Sequence, residues 1–93
     1  MKKVSFRIKR DFFEEIVNGV KTYELRSNNV HWSWLLGDDS SKVAVFVCGK
    51  DVHRRHITNI YLESPCTTPH DKSIVKTRDC IVIELGKKVE TVI

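Results

Sequence analysis

Residues 4–26 read VSFRIKRDFFEEIVNGVKTYELR and contain a strand pattern, a helix pattern and a second strand pattern in direct succession. In residues 4–9, apolar and polar side chains alternate, as in a strand with one buried face. Asp11 is predicted to cap a helix of about two turns that ends at Gly19, since glycine readily adopts the left-handed conformation found after a last helical turn. Residues 21–26 alternate again and predict the second strand.

The remainder of the chain continues as short strands separated by turns. Residues 42–48 are apolar on both faces and predict a central strand, and residues 52–62 predict a long, strongly curved one. Residues 81–85 predict a further strand, residues 86–88 a turn and residues 89–93 a last strand. About six strands in so short a chain favour closure into a small β-barrel, because closure removes exposed sheet edges.

Length and composition predict one domain, residues 1–93, that folds alone. Of the 93 residues 41% are hydrophobic and 30% are charged, as in ordinary globular domains. No apolar run approaches the roughly 20 residues that span a bilayer, and no apolar signal segment follows the start of the chain. We therefore expect no membrane association and a cytoplasmic location. The sequence has no CxxC, Walker or Rossmann motif, so we expect no metal and no cofactor.

The net charge of +4 favours approach to a polyanion. Basic residues cluster near the start of the chain and again at residues 53–56. Along a strand, His53 and Arg55 must face one way and Arg54 and His56 the other. Two interpretations explain the basic group at residues 53–56. It could form a nucleic-acid-binding surface, or it could lie on a solvated edge strand whose charges discourage pairing with another strand. The concentration of positive charge favours the nucleic-acid surface.

Glu24 and Arg26 lie on the same side of the second predicted strand, and Lys9 and Lys21 flank it at the ends of the helix. Such a cluster could hold a phosphate or a polar base edge. Alternatively, Glu24 and Arg26 form a salt bridge that holds the mouth of the barrel shut. The residues alone leave these two interpretations even.

Both tryptophans, Trp32 and Trp34, lie beside His31 in a polar loop that begins at Ser27. An indole ring could stack on an unpaired base, a contact worth about 1 to 3 kcal/mol. Alternatively, one tryptophan plugs the end of the barrel and the other covers it. We expect this core role for at least one of the two.

Lys9, Gly19, Lys21, Glu24 and Arg26 together resemble the signature of ASCH domains of the PUA-like superfamily. In that signature a lysine follows the first strand, and a G-x-K-x-x-E-x-R motif leads from the helix into the second strand. The resemblance implies an α+β fold, a PUA-like mixed β-barrel of about six strands with one helix between the first two strands. It also implies a ligand cleft between that helix and the barrel.

The resemblance further implies an RNA or nucleotide-like ligand in the cleft, and a binding module is the favoured interpretation. An acidic protein that binds the basic face is an alternative partner. The predicted binding residues are Lys9, Lys21, Glu24 and Arg26 in the cleft, with Trp32, Trp34, Arg54 and Arg55 at its rim.

An enzyme is the other alternative. Some small ASCH proteins are amidohydrolases that deacetylate N(4)-acetylcytidine, and others act as ribonucleases. Here Lys21 would be the catalytic base and Glu24 the acid or orienting group. Glu24, however, occupies the position where those deacetylases have a threonine. This departure makes catalysis the less favoured hypothesis.

Overall fold

The computed structural model describes residues 1–64 and 79–90 of the chain. These residues form five strands in one sheet of order β1-β3-β4-β5-β2, together with two helices. Strands β1 and β3 are parallel, and the other neighbouring strands are antiparallel. The sheet curls into a half-barrel, which confirms a small barrel-like α+β fold. The elements are β1 (Lys2–Arg7), α1 (Arg10–Val17), β2 (Tyr23–Ser27), α2 (Trp34–Gly37), β3 (Lys42–Cys48), β4 (Asp51–Glu63) and β5 (Cys80–Lys88).

The main core lies on the concave side of the sheet, where α1 and α2 cover it. The predicted alternation in β1 is present, with Val4 and Phe6 buried and Lys3, Ser5 and Arg7 exposed. The two helices contribute one apolar face each, and in the described part of the chain neither is long or apolar enough to span a bilayer. The buried residues of this core are Val4, Phe6, Phe13, Ile16, Leu35, Ala44, Phe46, Ile81, Ile83 and Leu85.

The start of α1 differs from the prediction. Lys9, in an extended conformation, occupies the N-cap position, and no side chain caps the helix, so the assignment of Asp11 as the cap is wrong. The reason is that pairing with β3 continues until the Ile8 N–H donates to the Val47 carbonyl at 3.1 Å. The chain then turns directly from the sheet into the helix, which leaves no room for a separate capping residue.

The end of α1 follows the prediction. Gly19 has a φ of +77°, the left-handed conformation that favours glycine. Its N–H donates to the Ile16 carbonyl at 3.2 Å, and the Val20 N–H donates to the Glu15 carbonyl at 2.9 Å. These two bonds form a Schellman motif. The motif fixes the direction in which the chain leaves the helix toward β2.

A short helix replaces part of the predicted loop. Trp34 is the first residue of α2, and Leu35 in the next position is only 1% exposed. After α2, the buried Lys42 Nζ donates to the carbonyls of Asp38 and Ser40 at 2.6 and 2.7 Å. An ion pair with Lys2 and hydrogen bonds from Ser40 hold the pKa of Asp38 well below its usual range. These contacts fasten α2 to β1 and β3.

Strand β4 is long and curved, as predicted, and β5 is longer than predicted. Two register shifts in the pairing of β4 with β5 mark bulges, and bulges bend a strand. One has its extra residue in β5, between Leu85 and Lys88, and the other has it in β4, between Ile57 and Asn59. Strand β5 continues through Gly86 to Lys88, so the predicted turn at residues 86–88 is wrong. A Cβ atom on Gly86 would lie 2.7 Å from Thr58 Cγ2, and glycine is therefore needed for close approach rather than for a turn. Val89 and Glu90 are in no strand, and the rest of the predicted sixth strand lies outside the described residues.

We expect Gly86→Ala to lower the free energy of unfolding by about 1 to 3 kcal/mol, because its methyl group would overlap with Thr58 Cγ2. Thr58→Ser removes Cγ2 but keeps the hydroxyl that donates to the Glu84 carbonyl at 3.2 Å. The double variant should therefore recover much of the loss. Chemical denaturation of both variants measures this, and an equal loss in the two would contradict the proposed overlap.

Candidate ligand cleft

The cleft lies where the half-barrel remains open. In the described part of the chain β1 and β2 are the two edges of the sheet. They approach each other where Arg26 Nη2 donates to the Arg7 carbonyl at 3.4 Å. A cavity of about 280 Å³ is found at this seam, and we call it the cleft. The residues lining it include Ile8, Lys9, Phe12, Glu24, Arg26, Asn29 and Trp32.

Glu24 is a buried carboxylate held between two cations. Alternation along β2 places Glu24 and Arg26 on the concave side, whereas Leu25 packs with Cys80 and Val82 in a second cluster. Oε1 of Glu24 accepts from Lys21 Nζ at 3.3 Å, and Oε2 accepts from Arg26 Nη2 at 2.6 Å. Both carboxylate oxygens are thus engaged, and the salt bridge considered from the sequence is present.

Arg26 carries the main polar surface of the cleft. Its guanidinium carbon lies 5.1 Å from the ring centroids of both Phe6 and Trp32, so aromatic rings fix the plane of the group. Its Nε atom is buried and has no hydrogen-bond partner among the described residues. A buried donor without a partner costs about 1 to 3 kcal/mol. An acceptor that entered the cleft and bonded this donor would remove that cost, once the side chains that cover the Nε atom had moved aside.

Lys21 lies behind the cleft rather than on its wall. Its side chain is 7% exposed, and its ammonium group is 4.5 Å from the centroid of the Phe12 ring. Lys21 is absent from the residues that line the cavity, whereas Glu24 and Phe12 are present. Its position therefore allows Lys21 to orient Glu24.

Trp32 closes one end of the core and lines the cleft as well. Its ring stacks on Phe6 with 5.2 Å between centroids, and His31 contacts it edge-on at 4.6 Å. Asn29, which sequence reasoning missed, holds this turn, because its Oδ1 accepts from the backbone N–H groups of His31 and Trp32 at 3.0 and 3.1 Å. The signal for Asn29 was the Asn-Asn pair before the tryptophans, since asparagine often stabilises such turns.

Three of the predicted rim residues lie away from the cleft. Trp34 is on α2, where the Lys2 ammonium lies 5.6 Å from its ring centroid. Arg55 points to the concave side and donates to the carbonyls of Gly86 and Ile16 at 2.5 and 3.2 Å, which ties the end of α1 to β5. Arg54 faces the convex side. The cleft therefore brings together Lys9, Glu24, Arg26 and Trp32, with Lys21 behind them.

The donors of the cleft suit a ligand with acceptor atoms. Within residues 1–64 and 79–90, no group of three or more His, Cys, Asp or Glu side chains could hold a metal ion. The one carboxylate on the wall, Glu24, already faces two cations. Lys9 is exposed and forms no ion pair in the same part of the chain. Lys9, Lys21 and Arg26 carry three positive charges and Glu24 one negative charge, so the net charge at the cleft is positive. A positive net charge favours an anionic or acceptor-rich ligand.

The chain matches no model of a known protein family, and no curated protein matches it. The resemblance to ASCH domains therefore stays a prediction, carried by the motif between Gly19 and Arg26. The geometry of the cleft is the observation on which a function can be based.

His53 is a second buried polar group, and it lies outside the cleft. It is 7% exposed and contacts the Phe13 ring edge-on, with 6.4 Å between centroids. Its Nε2 atom is buried without a hydrogen-bond partner among the described residues. Burial lowers the pKa of His53, and the positive charges of Arg55 and Lys88 lower it further. The structure thus favours the neutral imidazole.

We expect Glu24→Gln to lower the free energy of unfolding by about 3 kcal/mol. The change removes the negative charge between Lys21 and Arg26 and leaves buried cations uncompensated. Glu14→Gln on the exposed side of α1 is the matched control and should cost less than about 0.5 kcal/mol. Urea denaturation of the two variants provides the comparison. Equal, small losses would show that the buried ion pairs do not stabilise the fold.

We expect stability to fall as the pH drops below about 6.5, the ordinary histidine pKa. In that range the unfolded chain binds a proton at residue 53, whereas folded His53 binds it only at lower pH, so protonation favours unfolding. At higher pH the side chain of His53 is neutral in both the folded and the unfolded chain, so its protonation no longer changes the stability. His53→Phe should reduce the slope of stability against pH, and His31→Gln, an exposed control, should keep it. Denaturation between about pH 8 and pH 5 tests this, and an unchanged slope in His53→Phe would refute it.

Proposed function

We propose that the chain is a small RNA-binding module of the ASCH and PUA-like kind, which holds one base or phosphate group of a single-stranded RNA in the cleft. The observation that carries this proposal is the buried Nε donor of Arg26, which has no partner among the described residues beside a cavity of about 280 Å³. A donor fixed in this way between aromatic rings is prepared for an acceptor from a ligand.

The chemistry of arginine supports such a ligand. A guanidinium group presents its donors in one plane and matches phosphate oxygens or the acceptor edge of a base. In Arg26, Nη2 donates to Glu24 and the Arg7 carbonyl, while Nη1 and Nε make no hydrogen bond with another described residue. Lys9, which is exposed, adds a second positive charge to the lining of the cleft. Together these groups favour a phosphate or a base with exposed acceptors.

The size and the aromatic lining of the cleft favour a single nucleotide unit. A volume of about 280 Å³ lies just below the usual range of ligand pockets, which is about 300 to 1,000 Å³. Phe12 and Trp32 provide aromatic surface on the wall, and stacking on such surface tolerates any base. The cleft is therefore suited to one base or phosphate and too small for a folded RNA element.

Binding is favoured over catalysis because of the surroundings of the two proposed catalytic groups. A general acid or base must come within hydrogen-bond distance of the substrate. Both oxygens of Glu24 already bond cations, and Lys21 does not line the cavity. Lys21 is thus not placed to exchange a proton with a molecule in the cleft, and the carboxylate of Glu24, which does line the cavity, is already engaged by two cations.

Tryptophan fluorescence can test the proposal directly. In a Trp34→Phe background, Trp32 is the single reporter, and we expect short single-stranded RNA to quench it less strongly at high salt than at low salt. Arg26→Gln should weaken binding about tenfold or more, because it removes hydrogen bonds to a charged donor. Lys9→Ala should weaken binding by several-fold without altering the fold, since its side chain is exposed.

Lys50→Ala is the matched control for Lys9, because Lys50 is exposed at the turn between β3 and β4 and lines none of the cavities named for the described residues. RNA affinity equal to that of the parent protein in both cleft variants would contradict the proposal, provided that their melting temperatures show intact folds. Incubation with N(4)-acetylcytidine completes the test. Release of acetate would instead indicate an amidohydrolase.

A further inference from the structure

The convex face of the sheet carries a second, larger cavity, of about 790 Å³. We call it the basic groove. Val43, which is 5% exposed, contributes apolar surface to it. Five basic residues and one acidic residue line the groove, namely Lys3, Arg54, His56, Lys87, Lys88 and Glu90.

The sheet register assembles the groove from distant parts of the chain. Lys3 of β1 is the partner of Val43, and Val43 is the partner of His56 on β4. These residues thus form one row across three strands, on the face opposite to the core residues Val4 and Ala44. The Val89 N–H donates to the Arg54 carbonyl at 3.0 Å, which brings the end of β5 to the same place.

The positive charges of the groove are not compensated within the described part of the chain. No salt bridge there involves Lys3, Arg54, Lys87 or Lys88, whereas the cations Lys2, Arg10, Lys21, Arg26 and Lys42 each contact a carboxylate. Like charges on neighbouring strands destabilise a sheet, and a polyanion that binds across them would relieve that repulsion. The groove is therefore complementary to a chain of negative charges.

One strand connects the groove with the cleft. Lys3, Ser5 and Arg7 follow one another on the exposed face of β1. Lys3 lines the groove and Arg7 lines the cleft. At about 3.3 Å per residue, these two positions are about 13 Å apart along the strand. A single flexible strand could follow this path without leaving the basic surface.

We propose that the basic groove binds the phosphate backbone of the same single-stranded RNA whose base or phosphate occupies the cleft. This inference rests on the proposed function and deepens it. It makes the ligand an RNA strand of several nucleotides rather than a free nucleotide. The cleft recognises one unit, and the groove supplies most of the salt-dependent affinity.

The experiment compares a groove variant with a cleft variant on two probes, short oligouridylate and uridine monophosphate. Lys3→Ala, Arg54→Ala and Lys87→Ala are combined in the groove variant. If each change removes one phosphate contact, the slope of log affinity against log salt should fall by about 2 in total for a single strand. Affinity for oligouridylate should fall at least tenfold, while affinity for uridine monophosphate stays unchanged. Lys87→Ala alone is compared with Lys50→Ala, which removes one charge outside the groove.

Each outcome separates the two proposals. An unchanged salt slope and RNA affinity in the groove variant would overturn the groove, whereas the loss of uridine monophosphate binding in Arg26→Gln would still support the cleft. A groove variant that loses RNA affinity while Arg26→Gln and Lys9→Ala keep it would support an RNA-binding groove and overturn the cleft. Binding of polyglutamate in preference to oligouridylate, lost in the groove variant, would overturn the RNA assignment in favour of an acidic protein.

Discussion

The buried contact between Glu24 and its two cations, Lys21 and Arg26, joins the two edge strands of this half-barrel. In the described part of the chain, no backbone ladder joins β1 to β2, and a side chain, Arg26, reaches across the seam to the Arg7 carbonyl. Burial of charge is expensive unless each charge has a close partner. Glu24 partners Lys21 and Arg26 at once, while Phe6 and Trp32 hold the guanidinium plane. The seam is therefore closed at one point and open beside it, which creates the cleft.

The geometry of that contact begins at the end of α1. The Schellman motif at Gly19 turns the chain, and the Lys21 N–H then donates to the Glu15 carbonyl at 3.0 Å. Lys21 is thus placed by the helix, and Glu24 and Arg26 are placed by β2. The spacing of the motif therefore has a physical reason. Lys21, which is fixed to the end of the helix, and Glu24, which lies on β2, are three residues apart, and this separation lets the cation reach the carboxylate. This reason holds whether or not the motif belongs to a known family.

Local sequence patterns predicted much of the fold, since a strand with one buried face must alternate and a helix often ends at glycine. The alternation of residues 4–9 and 21–26 located β1 and β2 to within two residues, and the motif on β2 predicted that Glu24 and Arg26 share a face. The patterns failed where tertiary contacts decide. Gly86 resembles a turn residue, but it lies in β5, where the close approach of Thr58, which is distant in sequence, leaves no space for a Cβ atom. Similarly, the alternation of side chains along a strand predicted that Arg54 and Arg55 face opposite sides of the sheet. Only the pairing of Arg55 with the buried Ala44 shows that Arg55 is the one on the core side.

The basic residues differ in whether they form ion pairs within the described part of the chain. Arg10, Lys21 and Arg26 contact carboxylates, so their charges are largely compensated within the fold. On the convex face, Lys3, Arg54 and Lys87 line the groove and contact no carboxylate within the described part of the chain. In the proposed function, affinity that depends on salt therefore arises mainly at the groove, and discrimination arises at the cleft, where one donor of Arg26 must find an acceptor. A ligand that satisfied only the groove would bind without selectivity. A ligand that satisfied only the cleft would gain a few hydrogen bonds and little electrostatic attraction, which is why a strand that spans both sites uses this surface best.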